Sequence, residues 1–312
     1  MILVTGASGF IGRALVAELT ARQTNYRAAV RSRAAEGEFE IGNIDAATDW
    51  SGALQGISCV IHTAARVHVM REAAADPLAQ YRAVNLDGTL NLARQAAASG
   101  VRRFIFLSTI KVNGETTEAG RPFTADDPPA ATDPYAISKL EAERELFRLA
   151  RETGLEVVVI RPPLVYGPGV GGNFARMLRW LRLGLPLPLG AIDNRRSLVA
   201  LHNLVDLILT CVDHPAAVDQ ILLVSDGQDL STPELLRRLG TATGHPARLI
   251  PLPGALLDWG LVLLGRAAEA QRLSGSLQVD ITTTQELLDW KPPISVDEGL
   301  RLMAETNKIE AS

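Results

Sequence analysis

The chain has little of what defines several other protein classes. Only two cysteines, Cys59 and Cys211, occur in 312 residues. Each sits in an apolar run, which excludes a disulfide framework and reads as two buried free thiols in a reducing, cytoplasmic setting. Positive charge is not in excess: 31 Lys and Arg against 35 Asp and Glu leave a net charge of −4 and a pI near 5.8. That balance excludes a protein that grips nucleic acid through a basic surface. No run approaches the roughly 18 apolar residues of a membrane span. The best candidate, residues 255–264 (ALLDWGLVLL), is short and interrupted by Asp258, and reads as a buried or interface helix. The opening apolar run has no charged leader and reads as a folded strand, not a signal peptide. Histidine is scarce, and His62, His68, His202, His214 and His245 show no metal-ligand spacing, so no metal site is expected. His62, with apolar residues before it and small ones after, reads as structural.

What is present points elsewhere. A composition 47% hydrophobic and 21% charged belongs to a globular protein, and the length suits one large two-lobed unit. The first dozen residues organise the chain. Ile2, Leu3 and Val4 form an apolar run that stops at Thr5-Gly6, and Gly9 and Gly12 follow before an amphipathic stretch over residues 10–22. That order is strand, tight glycine turn, helix. Glycine lets the backbone turn sharply and lets a pyrophosphate approach the N–H groups and positive end of the helix.

Further along, apolar runs predict strands at Tyr26–Val30, Phe39–Ile44, Cys59–His62, Arg103–Ser108 and Glu156–Ile160, with helices over residues 74–98 and 134–152. Six strands alternating with helices define an α/β protein with a Rossmann-type, doubly wound parallel sheet. Residues 203–213 and 220–224 read as a helix and strand returning to that sheet. Glycines and prolines between 162 and 190 break the intervening chain into short elements. The expected organisation is a dinucleotide-binding domain of residues 1–165 completed by 197–225, with a smaller C-terminal substrate-binding lobe formed by 166–196 and 226–312.

Cofactor choice falls at Arg31-Ser32-Arg33. An acid about 20 residues beyond the glycines suits the ribose 2′-hydroxyl of NAD, whereas arginine suits the 2′-phosphate of NADP. Arg31 lies 19 positions after Gly12, and no acid ends its strand, so NADP is expected, with NAD possible. Thr63-Ala64-Ala65 are small enough to let a cofactor lie close to the backbone. Thr109 sits at the carboxyl end of its strand, a site position in such sheets. Residues 113–134, punctuated by four prolines, form a long loop beside it. Tyr135 and Lys139 then fall four apart on one helix face. A lysine ammonium there is expected to pull the phenol down from about 10 toward working pH, making it a usable acid or base. Asn85, in VNLDGT, is an amide that bonds locally or faces solvent, and it is counted among the cofactor-lining positions.

TGASGFIG, Ser108-Thr109, YAISK (Tyr135 to Lys139) and RPPLVYGPG (Arg161 to Gly169) together resemble the extended short-chain dehydrogenase/reductase superfamily, in its nucleotide-sugar epimerase/dehydratase branch, over nearly the whole chain. AARVHVM, STIKVNGE, NRRSLV and RLSGSL resemble more narrowly the bacterial enzymes of surface-polysaccharide (O-antigen) synthesis that reduce UDP-4-keto-6-deoxy-N-acetylhexosamines, often labelled UDP-glucose 4-epimerase-like. The resemblance implies that Tyr135 is the acid/base, that Lys139 partners both Tyr135 and the nicotinamide ribose, and that Thr109 positions substrate. It places Gly6, Gly9, Phe10 and Ile11 along the pyrophosphate, Ala64 and Ala65 along the cofactor's centre and Pro162 near the nicotinamide. Asn173, Arg196 and Arg272 match positions that hold the sugar's nucleotide diphosphate, and a homodimer through the helices of 74–98 and 134–152 is implied. Two departures stand out. Gly42-Asn43-Ile44 replaces Gly-Asp-(Ile/Leu) at the adenine. Ile110-Lys111 replaces the Asp-Glu pair that follows threonine in 4,6-dehydratases, which disfavours dehydration.

The function these readings point to is NADP-dependent reduction at C4 of a UDP-linked 4-keto-6-deoxy-N-acetylhexosamine. A UDP-sugar 4-epimerase with bound NAD is the alternative from the same residues, and a non-catalytic nucleotide-binding regulator is the alternative from another class.

Overall fold

Strands that are apolar on both faces need cover on both sides, and the helices supply it. A computed structural model describes residues 1–32, 37–67, 76–253 and 274–309. β1 (Ile2–Thr5) leads into α1 (Phe10–Ala21), followed by β2 (Tyr26–Val30), β3 (Glu38–Glu40) and β4 (Cys59–His62). α2 (Pro77–Arg82), a π-helical turn (Ala83–Gly88) and α3 (Thr89–Ala98) run on through helical junctions. Next come β5 (Arg103–Leu107), a 3₁₀ turn (Ile110–Val112), α4 (Pro134–Thr153) and β6 (Glu156–Arg161). β7 (Leu164–Tyr166), α5 (Gly172–Arg182), β8 (Leu198–Ala200), α6 (Leu201–Asp213) and β9 (Gln220–Leu223) follow. α7 (Thr232–Thr243), α8 (Thr282–Leu288) and α9 (Val296–Ile309) complete the described chain.

Seven strands form one parallel sheet in the order β3-β2-β1-β4-β5-β6-β9. Alternate residues of a strand face opposite layers. In β5, Ile105 and Leu107 join one core with Leu15 and Leu19 of α1 and Leu204 and Ile208 of α6, whereas Phe104 and Phe106 join the other with Leu90, Leu92 and Ala93 of α3 and Leu146 of α4. The order of strands reverses between β1 and β4, and the crevice at that switch point, beyond the carboxyl ends of the strands, is where such sheets bind ligands. A further apolar cluster, including Tyr166, Phe174, Leu178, Leu235, Leu300 and Met303, packs α5, α7 and α9 together. Tyr166 anchors it, stacked on Phe174 at 5.5 Å with its hydroxyl 2.8 Å from Asp226.

Some boundaries differ from those expected. The strand expected over 39–44 spans Glu38–Glu40, because Gly42 takes a left-handed φ of +69° and turns the chain away. The helix expected over 74–98 is described from Pro77 and contains the π-helical turn. The parallel β7–β8 pair is too short to announce itself as a pattern. Residues 255–264 lie outside the described residues, and among those described no helix is long and apolar enough to cross a membrane. Cys59 and Cys211 are free and buried, with their thiols pushed up to about 12 by burial.

His62 pins the switch point. Its Nδ1 lies 2.7 Å from the Thr5 hydroxyl on β1 and its Nε2 3.0 Å from the Thr89 hydroxyl on α3. A neutral imidazole donates through one nitrogen and accepts through the other, and a hydroxyl answers either. Burial, with the Lys139 charge adding to it, lowers this histidine to about 3 from 6.5. The unfolded chain therefore binds a proton that the folded chain refuses between those pH values, and stability falls as pH falls. Urea unfolding from pH 6.5 down toward 3 should show His62 contributing about 1.4 kcal/mol of loss per pH unit. His62→Gln should remove that share of the slope; an unchanged slope would show that the imidazole is not buried in its neutral form.

Candidate active site

The crevice is lined first by the glycine turn. Gly6 has φ +69°, and a Cβ there would stand 2.8 Å from the Ala64 nitrogen; a Cβ on Gly12 would stand 2.1 Å from the Gly6 oxygen. Neither position tolerates a side chain. Gly9 begins α1 with no side-chain cap, and no carboxylate occupies the first turn, leaving the N–H groups of the Phe10 and Ile11 turn with the chemistry an anion needs. These residues fit a dinucleotide pyrophosphate. Beside them, Arg31 is exposed just beyond the end of β2, β1's neighbour in the sheet. Asn43 is exposed, while Ile44 is half-buried against Gly88, where a Cβ would meet its Cγ2 at 2.7 Å.

Ala64 and Ala65, half-buried beyond β4, are followed by Arg66, whose backbone is held by Asn85. The Asn85 Oδ1 accepts from the Arg66 N–H at 2.8 Å, and its Nδ2 donates to the Arg66 oxygen and to the Ser138 Oγ, both at 3.0 Å. Ser138 in turn donates to the Tyr135 carbonyl at 2.8 Å. Asn85 is thus fully buried and braces the cofactor-side loop against α4; the option of a solvent-facing amide is corrected. The π-helical turn that carries it places the amide inward, and such turns often sit at functional sites.

Thr109, nearly buried, caps the 3₁₀ turn, and the next N–H after it is held by Pro162: the Ile110 N–H donates to the Pro162 oxygen at 3.0 Å. α4 begins with Asp133 as N-cap, its Oδ1 accepting from the Ala136 N–H at 2.8 Å. Tyr135 stays partly exposed and stacks edge-on against Tyr81 at 6.1 Å, with the Arg66 guanidinium 5.6 Å over Tyr81. Lys139 is buried; its Nζ donates to the Leu107 oxygen at 2.8 Å and lies 4.3 Å from the Phe106 ring centre. Lys139 therefore ties α4 to the end of β5, two residues before Thr109.

The expectation of a phenol lowered by lysine is not met. Desolvation pushes Tyr135 above its ordinary value, and Asp133 and Tyr81 add to the rise. Lys139 is itself lowered to about 7 by burial, with Glu143 pulling it back up. The Lys139 Nζ itself is directed to the Leu107 carbonyl and an aromatic face. Near neutral pH the pair is a protonated phenol beside an amine poised between its two states.

Under both lies an ion-pair network that the motif reading missed. Arg161, at the end of β6, donates to both oxygens of Glu143, at 3.0 and 2.5 Å, and to the Asn113 Oδ1 at 2.9 Å; Ser108 donates to the same carboxylate. The spacing of Tyr135, Lys139 and Glu143, four and four, was the available sign, since it puts all three on one helix face. Just before β8, Arg196 turns inward and donates to the Gly275 oxygen at 3.0 Å, with burial lowering its pKa, whereas Arg195 is exposed. Asn173 stands in the first turn of α5, its side chain outside the described structure, and Arg33 and Arg272 lie outside the described residues.

A parallel sheet with an uncapped glycine turn at its switch point, and a tyrosine and lysine one helical turn apart beside it, defines a dinucleotide-binding enzyme of the short-chain dehydrogenase/reductase type. The chain belongs to the NAD dependent epimerase/dehydratase family, whose family model matches residues 2–224. It is 48% identical to the UDP-glucose 4-epimerase of Vibrio cholerae over 309 residues, covering 97% of this chain and 94% of the relative. It is 30% identical to the GDP-6-deoxy-D-mannose reductase of Pseudomonas aeruginosa over 309 residues, covering 96% and 94%. The fold matches the crystal structure of UDP-glucose 4-epimerase with UDP-glucose from Thermotoga maritima, with a TM-score of 0.79 over 100% of this chain and 99% of that one, at 23% identity.

Removing one member of the buried pair strands the other charge. Arg161→Met should therefore cost about 3–5 kcal/mol in urea unfolding, and the paired change Glu143→Leu with Arg161→Met should recover most of it. A double variant as unstable as the single one would show that the two side chains are not energetically linked.

Proposed function

We propose that this chain is a UDP-sugar 4-epimerase working by hydride transfer at C4, with residues 166–196 and 226–312 taking the sugar nucleotide. The observation that carries the reading is the identity of 48% to a UDP-glucose 4-epimerase over nearly the whole chain, supported by an uncapped glycine turn and by Lys139 of α4 bonded at the end of β5, two residues before Thr109. A nicotinamide dinucleotide held in the crevice would supply reversible hydride exchange at C4. Tyr135 exchanges the proton of the C4 oxygen, Thr109 holds that oxygen, and Lys139 orients the ribose and the phenol. Gly6, Gly9, Phe10 and Ile11 follow the pyrophosphate, Ala64 and Ala65 leave room for the cofactor's centre, Asn43 and Ile44 border its adenine, and Pro162 borders the nicotinamide. Arg196 and Asn173 meet the sugar's diphosphate, where a guanidinium fork binds phosphate oxygens in pairs. The setting proposed is the cytoplasm, the state a homodimer, and the product a precursor of surface polysaccharide.

A second reading, NADP-dependent reduction of a UDP-4-keto-6-deoxy-N-acetylhexosamine, is favoured by two observations. Tyr135 is held protonated by its surroundings, which suits a proton donor, and the residue beyond β2 is Arg31, which suits a 2′-phosphate and so an exchangeable reduced cofactor. Pure protein should be mixed separately with UDP-N-acetylglucosamine, UDP-glucose and the keto sugar. Interconversion of an ordinary UDP-sugar without added cofactor supports the epimerase; NADPH consumption with the keto sugar alone moves the assignment to the reductase.

Tyr135→Phe should lower kcat by about 10²–10⁴-fold and leave nucleotide binding nearly intact. Undiminished turnover would remove Tyr135 from the chemistry, and turnover absent with every sugar in the native protein would favour a binding protein instead. Arg31→Ala should shift the preference for NADPH over NADH by about ten- to a hundredfold, the size of one or two charge-assisted hydrogen bonds. An unaltered ratio would place the 2′-phosphate elsewhere.

A further inference from the structure

Thr109 and Tyr135 stand at opposite ends of a long loop. Twenty-one residues separate Val112, the end of the 3₁₀ turn, from Pro134, the start of α4, and a loop of that length does not by itself fix the spacing of its two ends. One ion pair spans it at the site. The Lys111 Nζ lies 2.5 Å from the Asp133 Oδ2, with side chains only 27% and 18% exposed, and 3.5 Å from Glu115. Lys111 stands two residues after Thr109, and Asp133 two before Tyr135. The other carboxylate oxygen of Asp133 caps α4 at the Ala136 N–H, so one side chain both starts the helix that carries the phenol and ties it to the turn that carries the hydroxyl.

We propose that the Lys111–Asp133 pair is a positioning device for proton transfer, which locks Thr109 and Tyr135 into one unit and balances the charge beside the phenol. The proposal rests on Tyr135 being the acid/base group, which the epimerase and reductase readings share. Other groups face the phenol as well. Tyr81 approaches from α2, with Arg66 over it from the loop after β4. Lys139 lies one turn along α4, and Glu115 flanks Lys111 from the loop. Of these, Asp133 is the carboxylate whose charge raises the phenol. Lys111 offsets that charge, so breaking the pair from its two sides has opposite consequences. Lys111→Met leaves a bare carboxylate next to Tyr135, and Asp133→Asn removes the carboxylate while keeping a capping side chain, since asparagine caps helices as well as aspartate.

The test follows pH profiles of kcat and kcat/KM for the native protein, Lys111→Met, Lys111→Arg, Asp133→Asn and Tyr135→Phe. The Tyr135 ring is followed in parallel by ¹³Cζ-tyrosine NMR, its resonance identified by its loss in Tyr135→Phe. Lys111→Met should lower kcat about tenfold with KM for the sugar nucleotide nearly unchanged, and move the limb governed by the phenol upward by about one pH unit. Asp133→Asn should keep its melting temperature and move that limb downward. Lys111→Arg should restore the native profile, which a merely structural loss would not predict. If Tyr135→Phe is inactive while the limb stays in place or moves the same way in both variants, the pair is not a positioning device. If Tyr135→Phe remains active, the acid/base reading fails and takes the pair's role with it.

Discussion

A buried carboxylate–guanidinium pair holds the site together. Glu143 and Arg161 are almost fully buried, and each charge is met by the other together with Ser108 and Asn113. Such a pair is a weak source of stability, because desolvation offsets much of the attraction. What it supplies is geometry. Its members come from the end of β5, the turn beyond it, the middle of α4 and the end of β6. Lys139 lies one helical turn from Glu143, and Thr109 follows Ser108, so the network adjoins the chain that carries both candidate groups. Exposed pairs such as Arg148–Glu145 and Arg301–Glu305 are screened by water and organise nothing beyond their own helix turns.

Two halves of the crevice meet over that base. One is backbone: a glycine turn with no room for side chains and an uncapped helix end. The other is side chain: hydroxyl, phenol and amine. Asn85 joins them, gripping the Arg66 backbone on the cofactor side and Ser138 on α4. Burial then sets the protonation states. The same desolvation that raises Tyr135 lowers Lys139, because removing water disfavours the charged form of each. The site thus favours a neutral phenol and weakens the hold of the lysine on its proton.

Much of this was legible in the residues. Continuous apolar runs marked β1, β2, β4, β5 and β6, because a parallel strand is buried on both faces. Glycine spacing marked the turn at the switch point, and His62 read as structural from its neighbours alone. Tyr135 and Lys139 stood out through their four-residue spacing, and Glu143 was available by the same rule. Other features were not legible. The burial of Asn85 depends on a π-helical turn, and the choice of Arg196 over Arg195 as the inward side chain depends on which face of an extended segment meets Gly275. Neither leaves a mark in spacing.

The sequence by itself determined the parallel sheet and the glycine turn and singled out Thr109, Tyr135 and Lys139 as candidates, since these follow from periodicity, steric demand and functional-group chemistry within a few residues of one another. Only the tertiary structure decided the state of those side chains. The phenol rises because burial desolvates it and Asp133 and Tyr81 add to the rise, and Lys111 reaches Asp133 from the far end of a long loop. Proton affinity and distance across the fold are set by burial and by partners remote in the chain, and no local pattern encodes them.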